Sequence, residues 1–256
     1  MLNVEILSPA DVEQAATLFH RDGFVCIENP LTQEQFAAVE ADAQQVMQQQ
    51  EDEFGLKGMN RGHARHSFGN QLHNWGWCLL VDLPTILPVV DAIWDSDDYT
   101  CTGAGGDYSL PGAQIQHLHA DIRDFFADPW GVCNHMTPPA PLIVVNFTMV
   151  DFTVENGAIR FIPGTHRSPA AIPSLEEEPE WMRGNHLCAP ANTAIIRDVR
   201  CWHGGTANKS DQKRPMTGVG YHAPWRRAAE NKVLPQKHYQ RLSRRGQDLC
   251  RHLVQN

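Results

Sequence analysis

The stretch from Cys101 to Tyr221 most limits what this chain can become. Short apolar runs, Leu142 to Val150, Ala158 to Ile162, Thr193 to Ile196 and Thr217 to Tyr221, are separated by Gly, Pro, Asn and Asp. That punctuation stops each strand after a few residues, and a succession of short strands argues for an antiparallel sandwich or barrel. Asn156-Gly157 and Pro163-Gly164 bracket one run as turn dipeptides, and a hairpin is sufficient reason for both.

The N-terminal part carries a different period. Ser8, Pro9 and Asp11 read as a helix start with Ser8 as N-cap; Val12, Ala15, Ala16 and Phe19 follow on one face, and Gly23 is placed to end the helix. Phe24 to Ile27 reads as a short strand. Thr32 with Gln35 has capping-box form, opening a second helix with Phe36, Val39, Ala43 and Val46 on its apolar face. The polar segment from Gln48 to about Gly69 reads as a long surface loop or lid, with His63 and His66 on it and His73 just beyond. Near the C-terminus Leu242, Leu249 and Leu253 mark the buried side of a basic helix packed on the sheet. The expected organisation is one domain over residues 1–256, with a helical part at about 8–50 and a barrel core at about 100–225.

The charge balance narrows the partners. With 21 Lys and Arg against 30 Asp and Glu, the formal charge of −9 argues against a nucleic-acid or anionic membrane surface as the main target. No window approaches the ~20 consecutive apolar residues of a membrane span, and Met1 to Ala10 do not resemble a signal peptide. The seven cysteines are an odd number with no C-x-x-C pair, so neither a disulfide framework nor a thiolate zinc knuckle is expected. These features read as a reduced, soluble, cytoplasmic protein.

Chemistry concentrates in Gln114-Ile115-Gln116-His117-Leu118-His119-Ala120-Asp121. On a strand, residues two apart project to one side, so His119 and Asp121 would point together into the barrel. An imidazole beside a carboxylate makes a poor core but needs only one more ligand to hold iron in the two-histidine, one-carboxylate arrangement that leaves positions open. His203, in Arg200-Cys201-Trp202-His203-Gly204-Gly205, is the best third ligand, and the glycines behind it allow close approach of backbone. Arg214 opens the next strand-like run; an arginine beside such a site suggests a carboxylate to clamp, since guanidinium binds carboxylate through two parallel hydrogen bonds.

In this ordered set (His119-x-Asp121, then Asn156-Gly157-Ala158-Ile159-Arg160-Phe161-Ile162-Pro163-Gly164-Thr165-His166, then Trp202-His203-Gly204-Gly205, then Arg214) the chain resembles the phytanoyl-CoA dioxygenase family of iron(II) and 2-oxoglutarate-dependent oxygenases. The opening helix followed by Asp22-Gly23-Phe24 is similar too, and the resemblance covers most of residues 8 to 225. It implies a mainly β fold, a double-stranded β-helix or jelly roll of cupin-like type with flanking helices. Iron(II) would be held by His119, Asp121 and His203, and 2-oxoglutarate by Arg214, with Gln116 matching a position that in some relatives touches this cosubstrate. The implied reaction consumes dioxygen and 2-oxoglutarate, releases succinate and carbon dioxide, and oxidises an unactivated carbon of a small organic molecule. Related halogenases lack the carboxylate ligand, so Asp121 favours hydroxylation or another oxygenase outcome.

Two other readings use the same residues. A cupin-type metalloenzyme would bind metal through His117, His119 and His203 without an oxoacid, but no glutamate follows at a suitable distance, which leaves His117 behind the ligands or on the outer part of the strand. A non-enzymatic barrel would bind a small ligand and keep the motif for stability. His166 reads as structural. Trp202, Trp225, Tyr221, His222 and Arg123 flank the proposed site and are the candidates for a substrate pocket.

Overall fold

A computed structural model describes residues 2–55, 58–122, 128–134, 136–226 and 232–255. In chain order its elements are β1 (Ile6–Leu7), α1 (Val12–Asp22), β2 (Phe24–Glu28), α2 (Gln33–Phe54), β3 (Arg65–Ser67), α3 (Trp75–Cys78), α4 (Leu87–Trp94), β4 (Thr100–Ser109), β5 (Leu142–Thr148) and β6 (Arg160–Phe161). After these come α5 (Glu180–Arg183), β7 (Thr193–Asp198), β8 (His203–Gly204), β9 (Arg214–His222), α6 (Gln236–Tyr239) and α7 (Arg244–Cys250). Seven strands form one sheet in the order β1-β2-β7-β5-β9-β4-β3, antiparallel except for β1 beside β2. A small sheet of β6 and β8 faces it, extended by single bridges from His203 to His119 and from Arg160 to His186.

Strand alternation separates two interiors. On β5, Ile143, Val145 and Phe147 point outward under the helices, joined there by Val25, Ile27, Ala194, Ile196, Val219 and Tyr221 and by Phe19, Val39, Trp77 and Val89 of the helices. The opposite faces carry Phe24, Cys26, Ile195 and Met216, which meet Phe161 and Leu187 of the smaller layer; the Phe24 and Phe161 rings stack at 4.7 Å. This is the double-stranded β-helix, with helices on the outside of the large sheet. No helix among the described residues is long and apolar enough to cross a membrane.

Local chemistry accounts for most of the boundaries. Thr32 Oγ1 accepts from Gln35 N while Gln35 Oε1 accepts from Thr32 N, closing the capping box of α2. Gly23 ends α1 at φ 86°, and a Cβ there would lie 2.6 Å from His166 Nδ1, so both backbone and packing require glycine. Two expectations shift. The α1 N-cap is Asp11, three residues later than Ser8, because Asp11 Oδ2 accepts from Ser8 N and holds the preceding residues as a turn. Helix α2 runs on to Phe54, through residues expected in the polar loop; Gln48 donates to Asp52 one turn on. The C-terminal helix is two short ones, α6 and α7.

Candidate metal centre

The segment 113–122 is not a continuous strand, yet it is fixed where it matters. His119 N donates to His203 O at 2.9 Å and His203 N donates to His119 O at 3.0 Å, so the two histidines are a reciprocally hydrogen-bonded antiparallel pair. Asp121 N donates to Val199 O at 2.9 Å. His119, Asp121 and His203 therefore project to one point, and their potential ligand atoms lie within 4.8 Å of one another. Asp121 Oδ1 is 3.5 Å from His203 Nε2 and 3.9 Å from His119 Nε2.

Each imidazole spends its other nitrogen on the backbone two residues earlier: His119 Nδ1 pairs with His117 O at 3.2 Å and His203 Nδ1 with Cys201 O at 2.8 Å. A carbonyl can only accept, so each Nδ1 carries a proton and Nε2 is the nitrogen turned to the common point. Burial, with the neighbouring His203 second, pushes the His119 pKa down to about 4, which keeps the ring neutral near pH 7. Burial alone would raise the Asp121 carboxyl, but the Arg197 guanidinium and His203 hold it well below the usual carboxylate range. Two imidazole nitrogens and one carboxylate with open positions suit non-haem iron(II).

The three groups line a cavity of about 470 Å³ whose other walls include Arg65, Gln116, Asn146, Arg197 and Arg214. Register places Arg65, Ser109 and Arg214 in one row across β3, β4 and β9. Arg214 is 1% exposed, packs over the Phe152 ring at 4.8 Å, donates from Nε to Ser109 Oγ at 3.3 Å and lies 3.5 Å from Asp107 through Nη2. Its Nη1 is buried with no partner among the described residues. An orphaned donor on a buried cation is costly unless a ligand completes it, so this edge of the cavity fits an anion. Arg65, 2% exposed, donates to Thr206 O at 2.9 Å; burial first, then the charge of Arg214, pushes its pKa down to about 10. A Cβ on Gly205 would lie 2.5 Å from Arg65 Cζ, which is the close approach expected behind His203.

The remaining sequence candidates divide. Gln116 lines the cavity, but its amide ties two strands of backbone: Oε1 accepts from Gly205 N at 3.0 Å and Nε2 donates to Arg61 O at 3.1 Å. His117 stays out of the cluster and serves it through its carbonyl, against the cupin-type ligand set. Tyr221 does not line a substrate pocket: on β9 it alternates with Gly220 to the outer side, is fully buried in the main core, and donates from its hydroxyl to Val81 O at 2.7 Å. Trp202 alternates away from His203 in the same manner, joining Leu118 and Ile162, and lines a second cavity of about 890 Å³ that His119 also borders, so it stays a candidate for a pocket wall beside the metal ligands. His222 ends β9 half-buried, opposite Thr100 and Leu142, outside the residues that line the metal-side cavity. Trp225 is 46% exposed. Arg123 lies outside the described residues.

Sequence reasoning missed Arg197, Asn146 and Arg65, and also the pair Arg160 and Glu178, both with wholly buried side chains. Arg160 donates to both Glu178 oxygens and to Gln116 O, and Glu178 Oε1 accepts from Leu118 N at 3.2 Å, so the pair grips the backbone leading into His119 from both sides. An arginine in the otherwise apolar Thr193-Ala194-Ile195-Ile196-Arg197, on the face shared by Thr193 and Ile195, was the available signal for Arg197.

The sequence matches the model of the phytanoyl-CoA dioxygenase (PhyH) family over residues 19–216. Among curated proteins it is 37% identical over 118 residues to the multifunctional dioxygenase ausE of Aspergillus calidoustus, covering 41% of this chain and 36% of that protein. Thus the chain spans well under half the length of this relative. Among solved structures, the epimerase SnoN in complex with Fe3+, alpha ketoglutarate and nogalamycin RO superposes with a TM-score of 0.64 at 19% identity, over 84% of each chain. EctD from S. alaskensis with bound Fe gives 0.62 at 18% identity, over 87% of this chain and 80% of that one. At these identities the structural likeness establishes the fold.

Proposed function

The chain belongs to the phytanoyl-CoA dioxygenase family, an oxidoreductase family dependent on iron(II), 2-oxoglutarate and dioxygen, and from that premise we propose that His119, Asp121 and His203 hold the iron, that Arg214 and Gln116 serve 2-oxoglutarate, and that the enzyme hydroxylates an unactivated carbon of a small organic metabolite. The overall change would be substrate C–H, 2-oxoglutarate and dioxygen to substrate C–OH, succinate and carbon dioxide. Iron with 2-oxoglutarate supplies the oxidising chemistry when bound; the protein supplies aim, charge and exclusion of water. What carries this reading is the convergence of two Nε2 atoms and one carboxylate oxygen in a cavity also lined by Arg214, a buried arginine whose Nη1 has no partner among the described residues.

Each residue has a separable task. His119 and His203 offer Nε2 because their Nδ1 protons are already committed to backbone carbonyls. Arg214 meets the far carboxylate of the cosubstrate with a donor that nothing else uses, and Arg65 adds a second buried cation in the same row. Gln116 acts mainly by holding Gly205 and Arg61 against each other. Thr102, Asn146 and Asn70 give the remaining wall hydrogen-bonding character suited to a small molecule with oxygen functions.

The deciding experiment is anaerobic titration of the iron(II) protein with 2-oxoglutarate, followed by succinate release in air. A metal-to-ligand charge-transfer band is expected in the wild type and absent from His119→Ala and Asp121→Ala, both of which keep the wild-type circular dichroism. No band in the wild type, or undiminished succinate from either variant, would defeat the assignment.

A further inference from the structure

Asp121 has two oxygens, and only Oδ1 is directed to the histidines. Oδ2 accepts a 2.7 Å hydrogen bond from Arg197 Nη1. Arg197 is not free to swing away from it: the residue is 7% exposed, and its Nε donates to Asn146 Oδ1 at 3.0 Å. Asn146 stands on β5 and Arg197 on β7, adjacent strands of the large sheet, while Asp121 lies on the segment of His119, its N–H bonded to Val199 O just past β7. The series Asn146, Arg197, Asp121 thus runs from the large sheet to the segment that carries two of the proposed ligands, and all three line the cavity.

We propose that Arg197 is a positioning residue which, anchored by Asn146, fixes Asp121 as a one-oxygen ligand and so sets the metal affinity of the site. The proposal rests on the reading of His119, Asp121 and His203 as metal ligands and assigns a further residue to that reading. A carboxylate with a free second oxygen rotates, so Oδ1 faces the histidines only part of the time and ion binding has to meet the cost of ordering it. A guanidinium on Oδ2 prevents this, and an arginine is suited to it because Nε and Nη1 lie in one plane and bind two fixed acceptors at once. The sign of the effect separates positioning from simple charge. A cation beside the site repels a divalent metal, so if Arg197 acted by charge alone its removal would tighten binding; as a positioning group its removal weakens binding.

The test is calorimetric titration of the whole chain with Mn(II), and visible spectroscopy with Co(II), for the wild type, Arg197→Met, Arg197→Lys and Asn146→Ala. Loss of an outer-shell partner of a metal ligand typically costs about 10–100-fold in affinity, which is the fall expected for Arg197→Met. Asn146→Ala, which frees the other end of the guanidinium, is expected to lose affinity in the same direction by a smaller factor, and Arg197→Lys to recover part of it. The Co(II) bands of Arg197→Met are expected to shift as coordination changes. Unchanged or tighter Mn(II) binding in a folded Arg197→Met would overturn the proposal; should that variant fail to fold, unchanged binding by Asn146→Ala would do so. Failure of the wild type to bind either ion would instead remove the metal-site reading beneath it.

Discussion

Glu178→Gln isolates one electrostatic contribution at almost constant volume. Arg160 and Glu178 both have 0% side-chain exposure, so the substitution leaves a guanidinium deep in the protein without its counter-ion and creates no cavity. Breaking a buried pair from one side costs about 3–5 kcal/mol, because the remaining charge keeps its desolvation penalty and loses its compensation. Gln116 O remains as an acceptor for Arg160, and the Leu118 N–H can still reach the amide oxygen of glutamine, which places the expected loss at the lower end, about 3 kcal/mol. At about 2–4 °C per kcal/mol for a chain of this size, the midpoint of thermal unfolding should fall by roughly 6–12 °C. Urea denaturation followed by tryptophan fluorescence reads the free energy directly. Arg160→Met together with Glu178→Leu removes both charges and should recover most of the loss, giving a coupling of at least ~2 kcal/mol in a double-mutant cycle. A loss under ~1 kcal/mol for Glu178→Gln with no coupling in the cycle would refute the view that these two charges compensate each other in the interior.

Three further outcomes follow from the geometry. Arg214→Met removes the guanidinium that lies over Phe152 together with its donors, and since one charge-assisted hydrogen bond is worth about 1.5–3 kcal/mol, the KM for 2-oxoglutarate should rise at least tenfold while Mn(II) affinity stays the same; an unchanged KM would show that Arg214 does not meet the cosubstrate. His20, His66, His166 and His222 all have their pKa lowered, burial being the leading cause, to about 4 for His222. Below about pH 6.5 the unfolded chain takes up protons that the folded one refuses, so stability present at neutral pH is lost as pH falls toward 4, and melting at pH 5 should be lower than at pH 7.5; an equal or higher midpoint at pH 5 contradicts it. Tyr221→Phe should cost about 1 kcal/mol of stability through the lost bond to Val81 O and leave kcat and KM unaltered, whereas a changed substrate preference would return Tyr221 to the pocket wall.

How much of this was legible in the sequence depended on whether a signal was local or shared between distant segments. The capping box at Thr32 and Gln35 and the left-handed stop at Gly23 are satisfied within a few residues, so their chemistry is written where it acts. His119 and Asp121 were readable from spacing because a two-residue period survives even in an irregular segment, provided one backbone pair fixes it, here His119 with His203. The same period was the tool that could have sorted the pocket assignments: once His203 points into the metal-side cavity Trp202 points into the second one, and once Gly218 and Gly220 face the metal-side cavity Tyr221 faces the helices. What the period does not reveal is β4, whose Thr-Gly-Ala-Gly-Gly run has poor strand propensity and is held by nine residues paired with β9 and three with β3. Nor does it reveal charges whose partners arrive from elsewhere, Arg197 with Asp121 across 76 positions and Arg160 with Gln116 across 44. Those distant pairs are what turn a motif into a site. His-x-Asp and a later His define which atoms converge, but the direction of each lone pair and the single free oxygen of Asp121 are fixed by groups the motif does not mention. Substitutions at Arg197, Asn146, Arg160 and Glu178 are therefore expected to separate motif from function, leaving the ligand residues in place while changing what they can hold.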